Sequence, residues 1–550
     1  MKHLTSILAR NHAPVTPQSE PIRGTAPNSA GGFSFPVDNW TRFRRFLILG
    51  SEGGSYYASQ RALTTQNLTA IFACLDENGA RVVREIVEIS VAGRAPKNDA
   101  ALFALAIAAS CDNDATRKLA LDALPQVART GTHLFHFAAF VDAQRGWGRG
   151  LRAAIARWYG EKSGRDLAFQ LLKYQARDGW SHRDLLRLCH AKAASETQNI
   201  AFGWATRGWP SVGEAPHPNP DLVQIWAFER IKRAQSEVEA ANLIRDYELP
   251  REAVPTQFLT SVSVWEALLE RMPLGATVRN LATMTKIGLL TPKSDATQTV
   301  LAALRDENRV RRARLHPIAI LSALRTYVGG HGVRGNATWM PVGAISDALD
   351  GAFYAAFGGV EATGKRFLLA LDVSGSMDCG AVAGVPGLSP RAASAAMALV
   401  TNAVEDDVQI VGFTSAVSGF GGLWGGGTSG LTPIGLSRKT RLDHAVKTVS
   451  RLPMGGTDCA LPMTWALENR EKFDVFVVYT DSETWAGRIH PVQALRQYRE
   501  KTGIAAKLVV VGMVSNGFSI ADPNDAGMLD VVGFDTATPQ LMSEFALGAV

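Results

Sequence analysis

The stretch FLLALDVSGSM, residues 367–377, decides the fold of the last third of this chain. It begins with a short apolar run, which is typical of a strand buried on both faces of a parallel sheet. Three side chains that carry oxygen follow at alternate positions: Asp372, Ser374 and Ser376. Because open α/β sheets bind ligands beyond the carboxyl ends of their strands, we expect these oxygens to form a cation-binding loop there.

Three more apolar runs follow, and helical segments separate them. They are DVQIVGF (407–413), DVFVVYT (474–480) and AKLVVVGM (506–513). Continuous apolar strands that alternate with helices indicate a parallel sheet covered by helices on both faces. We therefore expect residues 361–550 to form an α/β domain with a doubly wound parallel sheet.

The preceding part of the chain has a different periodicity. From Trp40 to about Phe357 the apolar residues recur at helical spacing, and strand-like alternation is almost absent. Many short helices without strands predict a solenoid of helix pairs over residues 39–360. Residues 1–38 are rich in Pro, Ser, Gly and Asn, so we expect a mobile leader or an irregular wrap over the first helices.

Composition narrows the class of protein and its compartment. The 550 residues are 46% hydrophobic, and no run approaches the ~18 apolar residues that span a bilayer. The N-terminal stretch lacks the apolar core of a secretory signal. The five cysteines are odd in number and never in a CxxC spacing, which favours free thiols in a reducing compartment. These features predict a cytoplasmic protein that does not bind membranes.

The net charge is distributed unevenly between the two parts of the chain. Residues 361–550 hold 15 basic and 19 acidic side chains, so the first 360 residues carry +10 of a total charge of +6. Long-range attraction would bring an anionic partner to the first part. A merely soluble basic surface would show the same charge.

Two later loops add to the cation site. Thr457 lies in the glycine-containing loop PMGGTDCALPM, and Asp481 follows the apolar run that ends at Thr480. Carboxylate and hydroxyl oxygens are the ligands that a hard divalent ion such as Mg²⁺ prefers. We therefore predict a metal site made of Asp372, Ser374, Ser376, Thr457 and Asp481.

Cationic side chains concentrate between residues 141 and 192. Lys173 and Arg177 are spaced as i,i+4 neighbours on one helix face. Ser181 and Asp184 are spaced as the capping box of a new helix. On that helix, three side chains follow at i, i+4 and i+7, so they form one stripe: Arg183, Arg187 and His190. The stripe predicts phosphate contacts, although a solvated helix face would have the same pattern.

Two resemblances complete this interpretation. The five metal-site positions resemble, in order, the metal-ion-dependent adhesion site of the von Willebrand factor A domain. The whole chain from about residue 40 also resembles the Ro autoantigen, or TROVE-domain, family. The blocks that carry this resemblance are TRFRRFLILGSEGGSYYASQRALT, KYQARDGWSHRDLLRLCHAK, VWEALLERMPLGATVRNLATMT and ALDGAFYAAFGGVEATGKRFLLALDVSGSM.

The family resemblance implies a fold and a function. It implies a HEAT-like helical-repeat ring closed by the von Willebrand A domain. A basic outer surface would bind small noncoding Y RNA, and a central hole would accept single-stranded 3′ ends of misfolded RNAs. The implied protein is a monomer without catalysis that takes part in RNA quality control. In bacteria it would act beside a 3′-to-5′ exoribonuclease such as polynucleotide phosphorylase.

The resemblance also assigns residues. Lys173 and Arg177 match the family's RNA-contacting Lys and Arg, and His190 matches its RNA-contacting His. Cys189 stands where the family usually has Ser. Arg279 and Lys286, seven residues apart on one predicted helix, are candidates for the lining of the hole, although a solvent-facing helix would place them equally well.

Two functions from other classes stay open at the level of sequence. One is a protein-binding scaffold in which the metal coordinates a partner's acidic residue and the basic helices bind nothing. The other is a Mg²⁺-dependent nuclease or phosphohydrolase. No His or Lys base is evident in the three metal loops, which favours binding over catalysis.

Overall fold

The structure is a computed structural model that describes residues 15–52, 55, 58–209, 212–332, 336–358, 360–382, 385–415 and 430–550. These residues fall into two compact units. The helical unit is Ile71–Gly358, and the α/β unit combines Met1–Ala70 with Gly359–Val550. No helix in these ranges is long and apolar enough to cross a bilayer.

The described chain begins with short elements of the α/β unit. They are β1 (Ala26–Pro27), β2 (Phe33–Pro36) and α1 (Asn39–Leu49). The carboxylate of Asp38 accepts a hydrogen bond from the amide of Thr41 and thereby caps the start of α1.

The next part is mostly helical, which confirms the predicted class. Its helices are α2 (Gln60–Ala92), α3 (Asp99–Ser110), α4 (Asp114–Asp122), α5 (Leu124–Val127), α6 (Gly131–Gln144), α7 (Arg149–Gly160), α8 (Gly164–Lys173), α9 (His182–Cys189), α10 (Glu196–Arg207), α11 (Val223–Ile231), α12 (Glu237–Tyr247), α13 (Val262–Glu270), α14 (Leu274–Lys286), α15 (Asp295–Arg305), α16 (Glu307–Arg312), α17 (Pro317–Gly329) and α18 (Gly343–Ala355). Asn78 has non-helical angles, so α2 is interrupted there. One hairpin, β3 (Ala176–Arg177) with β4 (Trp180–Ser181), lies between α8 and α9.

Local sequence explains where several of these helices begin. At the first turn of α8, α10 and α12, a backbone amide donates a hydrogen bond to a serine hydroxyl; these serines are Ser163, Ser195 and Ser236. A side-chain acceptor of this kind fixes where a helix begins, because the first amides have no partner inside the helix. The period of the apolar residues then determines the buried face.

The α/β unit is built on a six-stranded sheet. Its strands are β5 (Arg366–Asp372), β6 (Asp407–Phe413), β7 (Leu431–Pro433), β8 (Val475–Thr480), β9 (Lys507–Gly512) and β11 (Met528–Val532), in the order β11-β9-β8-β5-β6-β7, and β10 (Phe518–Ser519) pairs with β2 outside it. All neighbours are parallel except β7, which runs antiparallel to β6. The predicted parallel sheet is therefore confirmed except for one edge strand.

Helices cover both faces of this sheet. They are α19 (Pro390–Val404), α20 (Leu442–Ser450), α21 (Leu461–Glu468), α22 (Pro491–Thr502) and α23 (Thr538–Leu547). One face of the central strands, including Leu368 and Phe476, packs in a core with Met463 of α21 and Leu495 of α22. Every residue of β8 is buried, as expected for a central strand with both faces covered.

The place of the N-terminal residues differs from the expectation. Instead of forming a leader or wrapping over the first helices, residues 15–70 group with the α/β unit; residues 1–14 lie outside the described residues. Strand β2 pairs with β10. The guanidinium of Arg45 donates to both carboxylate oxygens of Asp530, each at 2.6 Å. The local sequence around β2 and Arg45 could not reveal these partners, which lie more than 450 positions away in the sequence.

Candidate functional site

Three loops bring the predicted metal-site residues to one edge of the sheet. Asp372 is the last residue of β5, and Asp481 directly follows β8. These strands are parallel neighbours, so their carboxyl ends lie side by side. The carbonyl of Thr457 accepts hydrogen bonds from the amides of Trp485 and Ala486, at 3.1 and 3.0 Å. These bonds attach the second loop to the third.

Hydrogen bonds hold the first loop in place. One carboxylate oxygen of Asp372 accepts from the amide of Ser374 at 2.9 Å, and the other accepts from the hydroxyl of Thr480 at 2.7 Å. The hydroxyl oxygens of Ser374 and Ser376 are 3.1 Å apart, and Ser376 also hydrogen-bonds Asp481. The loop sequence alone did not indicate that Thr480 orients Asp372.

The two carboxylates are buried beside one another. Asp372 is fully buried and Asp481 is 4% exposed. Burial, and then the neighbouring charge of Asp481, raise the pKa of Asp372 to about 7. Burial also raises the pKa of Asp481. Bringing two carboxylates together out of water is unfavourable unless a cation compensates their charge.

The donor set fits a hard divalent cation. It consists of two buried carboxylates and the hydroxyls of two serines and a threonine, all of which are ligands for Mg²⁺. The described residues contain no group of three or more His, Cys, Asp and Glu side chains placed to hold a metal ion. Carboxylate and hydroxyl oxygens suit a hard ion that keeps some water ligands, whereas zinc prefers sulfur and nitrogen ligands.

The N-terminal segment supports the second and third metal loops. Gln18 is fully buried, and its side chain donates to the Asp458 carboxylate and the Ile489 carbonyl, both at 2.8 Å. The amide of Ser29 donates to the Glu483 carboxylate at 2.7 Å. These contacts flank the loop that follows Asp481. Sequence reasoning missed them because nothing local marks Gln18 as a core residue.

The basic segment 173–190 is organised differently from the prediction. Helix α8 ends at Lys173, and Arg177 lies in the hairpin strand β3, so the two residues do not share a helix face. Asp178 and Gly179 form the turn, with positive φ angles of 52° and 79°. An Asp-Gly pair in a two-residue loop is a strong hairpin signal, and it was present in the sequence but not used.

The predicted start of α9 is confirmed. The stripe of basic side chains on this helix is one turn shorter than predicted. The hydroxyl of Ser181 and the carboxylate of Asp184 form the capping box. Arg183 and Arg187 are exposed on this helix. His190 is the C-cap in a left-handed conformation, with φ 51°. It is exposed just beyond the helix end and therefore does not continue the helical stripe.

The thiol of Cys189 adds no negative charge beside His190. The residue is 6% exposed, and burial raises its pKa to about 11. It is therefore a neutral thiol at physiological pH.

A large cavity in the helical unit brings three of the predicted RNA-contacting residues together. We name it the α8–α14 cavity; its volume is about 800 Å³, and α8, β3, α12, α13 and α14 contribute to its lining. Lys173, Arg177 and Arg279 line it. Arg183, Arg187, His190 and Lys286 are exposed outside this lining. Sequence analysis did not reveal that Lys173 and Arg279, on different helices, lie close together.

Comparisons with known proteins agree with this organisation. Residues 366–546 match the family model described as the Ro60 vWA domain, and residues 26–207 and 247–327 match the TROVE domain. The chain is 43% identical over 526 residues to RNA-binding protein RO60 of Deinococcus radiodurans, covering 95% of each chain. It is 38% identical over 608 residues to RNA-binding protein RO60 of Caenorhabditis elegans, covering 97% of this chain and 92% of that one.

A solved structure is also similar. The crystal structure of the Deinococcus radiodurans Ro (RSR) protein superposes with a TM-score of 0.69 at 42% identity, covering 93% of this chain and all of that chain. Both regions of the chain therefore have counterparts in relatives of nearly the same length.

Proposed function

The chain belongs to the Ro60 family of TROVE-domain proteins, and from that premise we propose that it is an RNA-binding protein of noncoding RNA quality control. Its helical unit binds a small Y-like RNA through Lys173, Arg177, Arg183, Arg187 and His190. Arg279 and Lys286 contact single-stranded 3′ ends of misfolded RNAs. The protein is a cytoplasmic monomer without catalysis of its own, and in bacteria it presents these RNAs to a 3′-to-5′ exoribonuclease such as polynucleotide phosphorylase.

The observation that carries this proposal is a set of exposed cations whose charge is not neutralised. In the described part of the chain, neither Arg183 nor Arg187 has a carboxylate within ion-pair distance, and Arg177 has only Asp178, at 3.8 Å. Exposed, unneutralised guanidinium groups are free to contact phosphates, and each contact releases counterions from the nucleic acid.

The predicted metal site at the sheet edge has a separate role in this proposal. A divalent ion, Mg²⁺ in our proposal, is held by Asp372, Ser374, Ser376, Thr457 and Asp481. When bound, it supplies an open coordination position for a carboxylate of a protein partner. The hydrogen bonds that Asp372 accepts from the Ser374 amide and the Thr480 hydroxyl would fix the orientation of that carboxylate toward the ion.

Purification of the protein from its own cells at low salt tests the RNA function directly. We expect sequencing of the bound nucleic acid to show enrichment of one small structured RNA, which is lost at higher salt because phosphate contacts dominate. Recovery of no RNA, or of ribosomal fragments alone, would contradict the proposal and favour the protein scaffold. Metal-dependent RNA cleavage that is lost in Asp481→Ala would favour the nuclease.

Replacement of Asp372 with alanine separates the metal site from RNA binding. We expect Asp372→Ala to abolish Mg²⁺ binding in titration calorimetry, because one of the two carboxylates in the predicted ligand set is removed. The RNA affinity should stay within about twofold of the original value, since other residues contact the phosphates. Asp378→Ala is the matched control, because Asp378 is exposed in the same loop. Loss of RNA affinity in folded Asp372→Ala would refute this separation.

A further inference from the structure

The α8–α14 cavity has the size and lining of a small-ligand site. Its volume of about 800 Å³ lies in the range of cavities that hold small molecules, ~300–1,000 Å³. Apolar side chains form part of the wall, among them Ile244, Leu268 and Met272. Such a wall can exclude water from a ligand while a few polar groups orient it.

The charge of the lining selects an anion. Seven cationic and four acidic side chains line the cavity: Arg165, Lys173, Arg177, Arg245, Arg251, Arg271 and Arg279 with Asp166, Glu248, Glu252 and Glu270. Glu248 pairs with both Arg165 and Arg271, and Glu270 pairs with Arg245 at 2.7 Å. An excess of three positive charges in a concave site attracts anionic ligands.

Three cations in this lining, Lys173, Arg251 and Arg279, form no ion pair among the described residues, and the first and last of them lie close together. The charge of Arg279 is near enough to lower the pKa of Lys173. Burial is the larger cause of that lowering, and Glu252 opposes it. A phosphate between Lys173 and Arg279 would offset their repulsion, and its charge-assisted hydrogen bonds would compensate the cost of burying Lys173.

Aromatic rings stand directly beside these cations. The ammonium of Lys173 is 5.0 Å from the ring centroid of Phe169 and 5.4 Å from that of Tyr174. Both rings line the cavity. An aromatic face next to a cation is the arrangement in which single-stranded nucleic-acid sites stack a base and hold its phosphate.

The lining residues also include two polar atoms without a hydrogen-bond partner. They are Nδ1 of His133 and Oε1 of Gln224, both buried. The burial of His133, together with the nearby charge of Arg129, lowers its pKa to about 4, so its ring is neutral at physiological pH. Neutral acceptors of this kind could receive the amino or imino hydrogens of a nucleobase after a small side-chain movement.

We propose that the α8–α14 cavity binds one unpaired nucleotide, with the phosphate between Lys173 and Arg279 and the base against Phe169 and Tyr174. The inference rests on the proposed function, because it assigns one nucleotide of a bound RNA to this cavity. An acidic peptide is the competing ligand. It would use the cations but not the aromatic rings.

Titration calorimetry of the full chain with AMP, GMP, CMP and UMP tests the proposal. We expect saturable binding of one nucleotide per chain, and inorganic phosphate should bind at least tenfold more weakly because it makes no stacking contact. No saturable binding would overturn the proposal. Equal affinity for phosphate alone or for an Asp-Glu dipeptide would also overturn it.

Two variants locate the site without removing a charge. Ala276 lines the cavity, so Ala276→Trp should fill it and weaken nucleotide binding about tenfold or more. Ala302→Trp is the matched control, because Ala302 is exposed on α15 and outside the lining. Phe169→Leu removes one ring and should weaken binding about tenfold even if the tryptophan variant does not fold. Unchanged affinity in folded Ala276→Trp and Phe169→Leu would refute the site.

The RNA affinity of the original protein, measured in parallel, distinguishes failure of the cavity assignment from failure of the RNA function. If RNA binds and mononucleotides do not, the cavity assignment is wrong and the RNA function stands. If mononucleotides bind and RNA does not, the cavity is a nucleotide site and the RNA function is wrong.

Discussion

Replacing both Lys173 and Arg177 with alanine is expected to weaken RNA binding by about a hundredfold. Two charge-assisted phosphate contacts together contribute about 3 kcal/mol. The slope of the logarithm of affinity against the logarithm of salt concentration should become shallower by up to ~2, because fewer counterions are released. Filter binding of a structured RNA across a salt series measures both quantities.

The matched control removes the same two residue types elsewhere. Arg496 and Lys501 are both exposed on α22 in the α/β unit. Arg496→Ala with Lys501→Ala therefore lowers the net charge by the same amount as the Lys173 and Arg177 variant. We expect this pair to change the salt slope by less than ~0.5, since long-range charge is screened within about 10 Å at 0.1 M salt. An unchanged slope in the Lys173 and Arg177 variant would refute phosphate contact by these residues.

Replacing Asp530 with alanine is expected to destabilise the α/β unit by about 3–5 kcal/mol, the range for breaking a buried ion pair. Arg45 is fully buried. Besides Asp530, it donates to the carbonyl of Phe518 at 2.7 Å and to that of Asn516 at 3.3 Å. Without Asp530, its charge would stay out of water with only carbonyl partners. Urea unfolding, followed by circular dichroism, measures the loss.

A second ion pair in the same unit provides the comparison. Arg499 and Asp525 are also 2.6 Å apart, but their side chains are 24% and 27% exposed. Water can solvate the guanidinium of Arg499 that remains, so Asp525→Ala should lower the free energy of unfolding by only about 1 kcal/mol. Similar losses in Asp530→Ala and Asp525→Ala would show that burial does not determine the effect. Arg45→Met combined with Asp530→Leu should recover much of the stability, because no charge is left buried.

The sequence predicted the placement of the candidate metal-site side chains more fully than the arrangement of the basic residues. Asp372, Ser374, Ser376 and Asp481 lie at or just beyond the ends of two strands that apolar runs mark clearly, whereas Thr457 lies in a loop between two helices. By contrast, the i,i+4 relation of Lys173 and Arg177 was wrong, since the Asp178-Gly179 turn ends the helical pattern between them. Over the few positions between Lys173 and Arg177, the period of the apolar residues is a weak guide to secondary structure.

Sequence by itself determined the class of the two regions and the start of α9, and it indicated which loops carry the predicted metal-site residues. These features depend on neighbours within one or two turns or one strand, as in the capping box of Ser181 and Asp184. Only the tertiary structure decided that residues 15–70 belong with the α/β unit and that Lys173 lies beside Arg279. Such contacts join residues far apart in the chain, and each depends on which distant partner offers the complementary charge, hydrogen bond or shape.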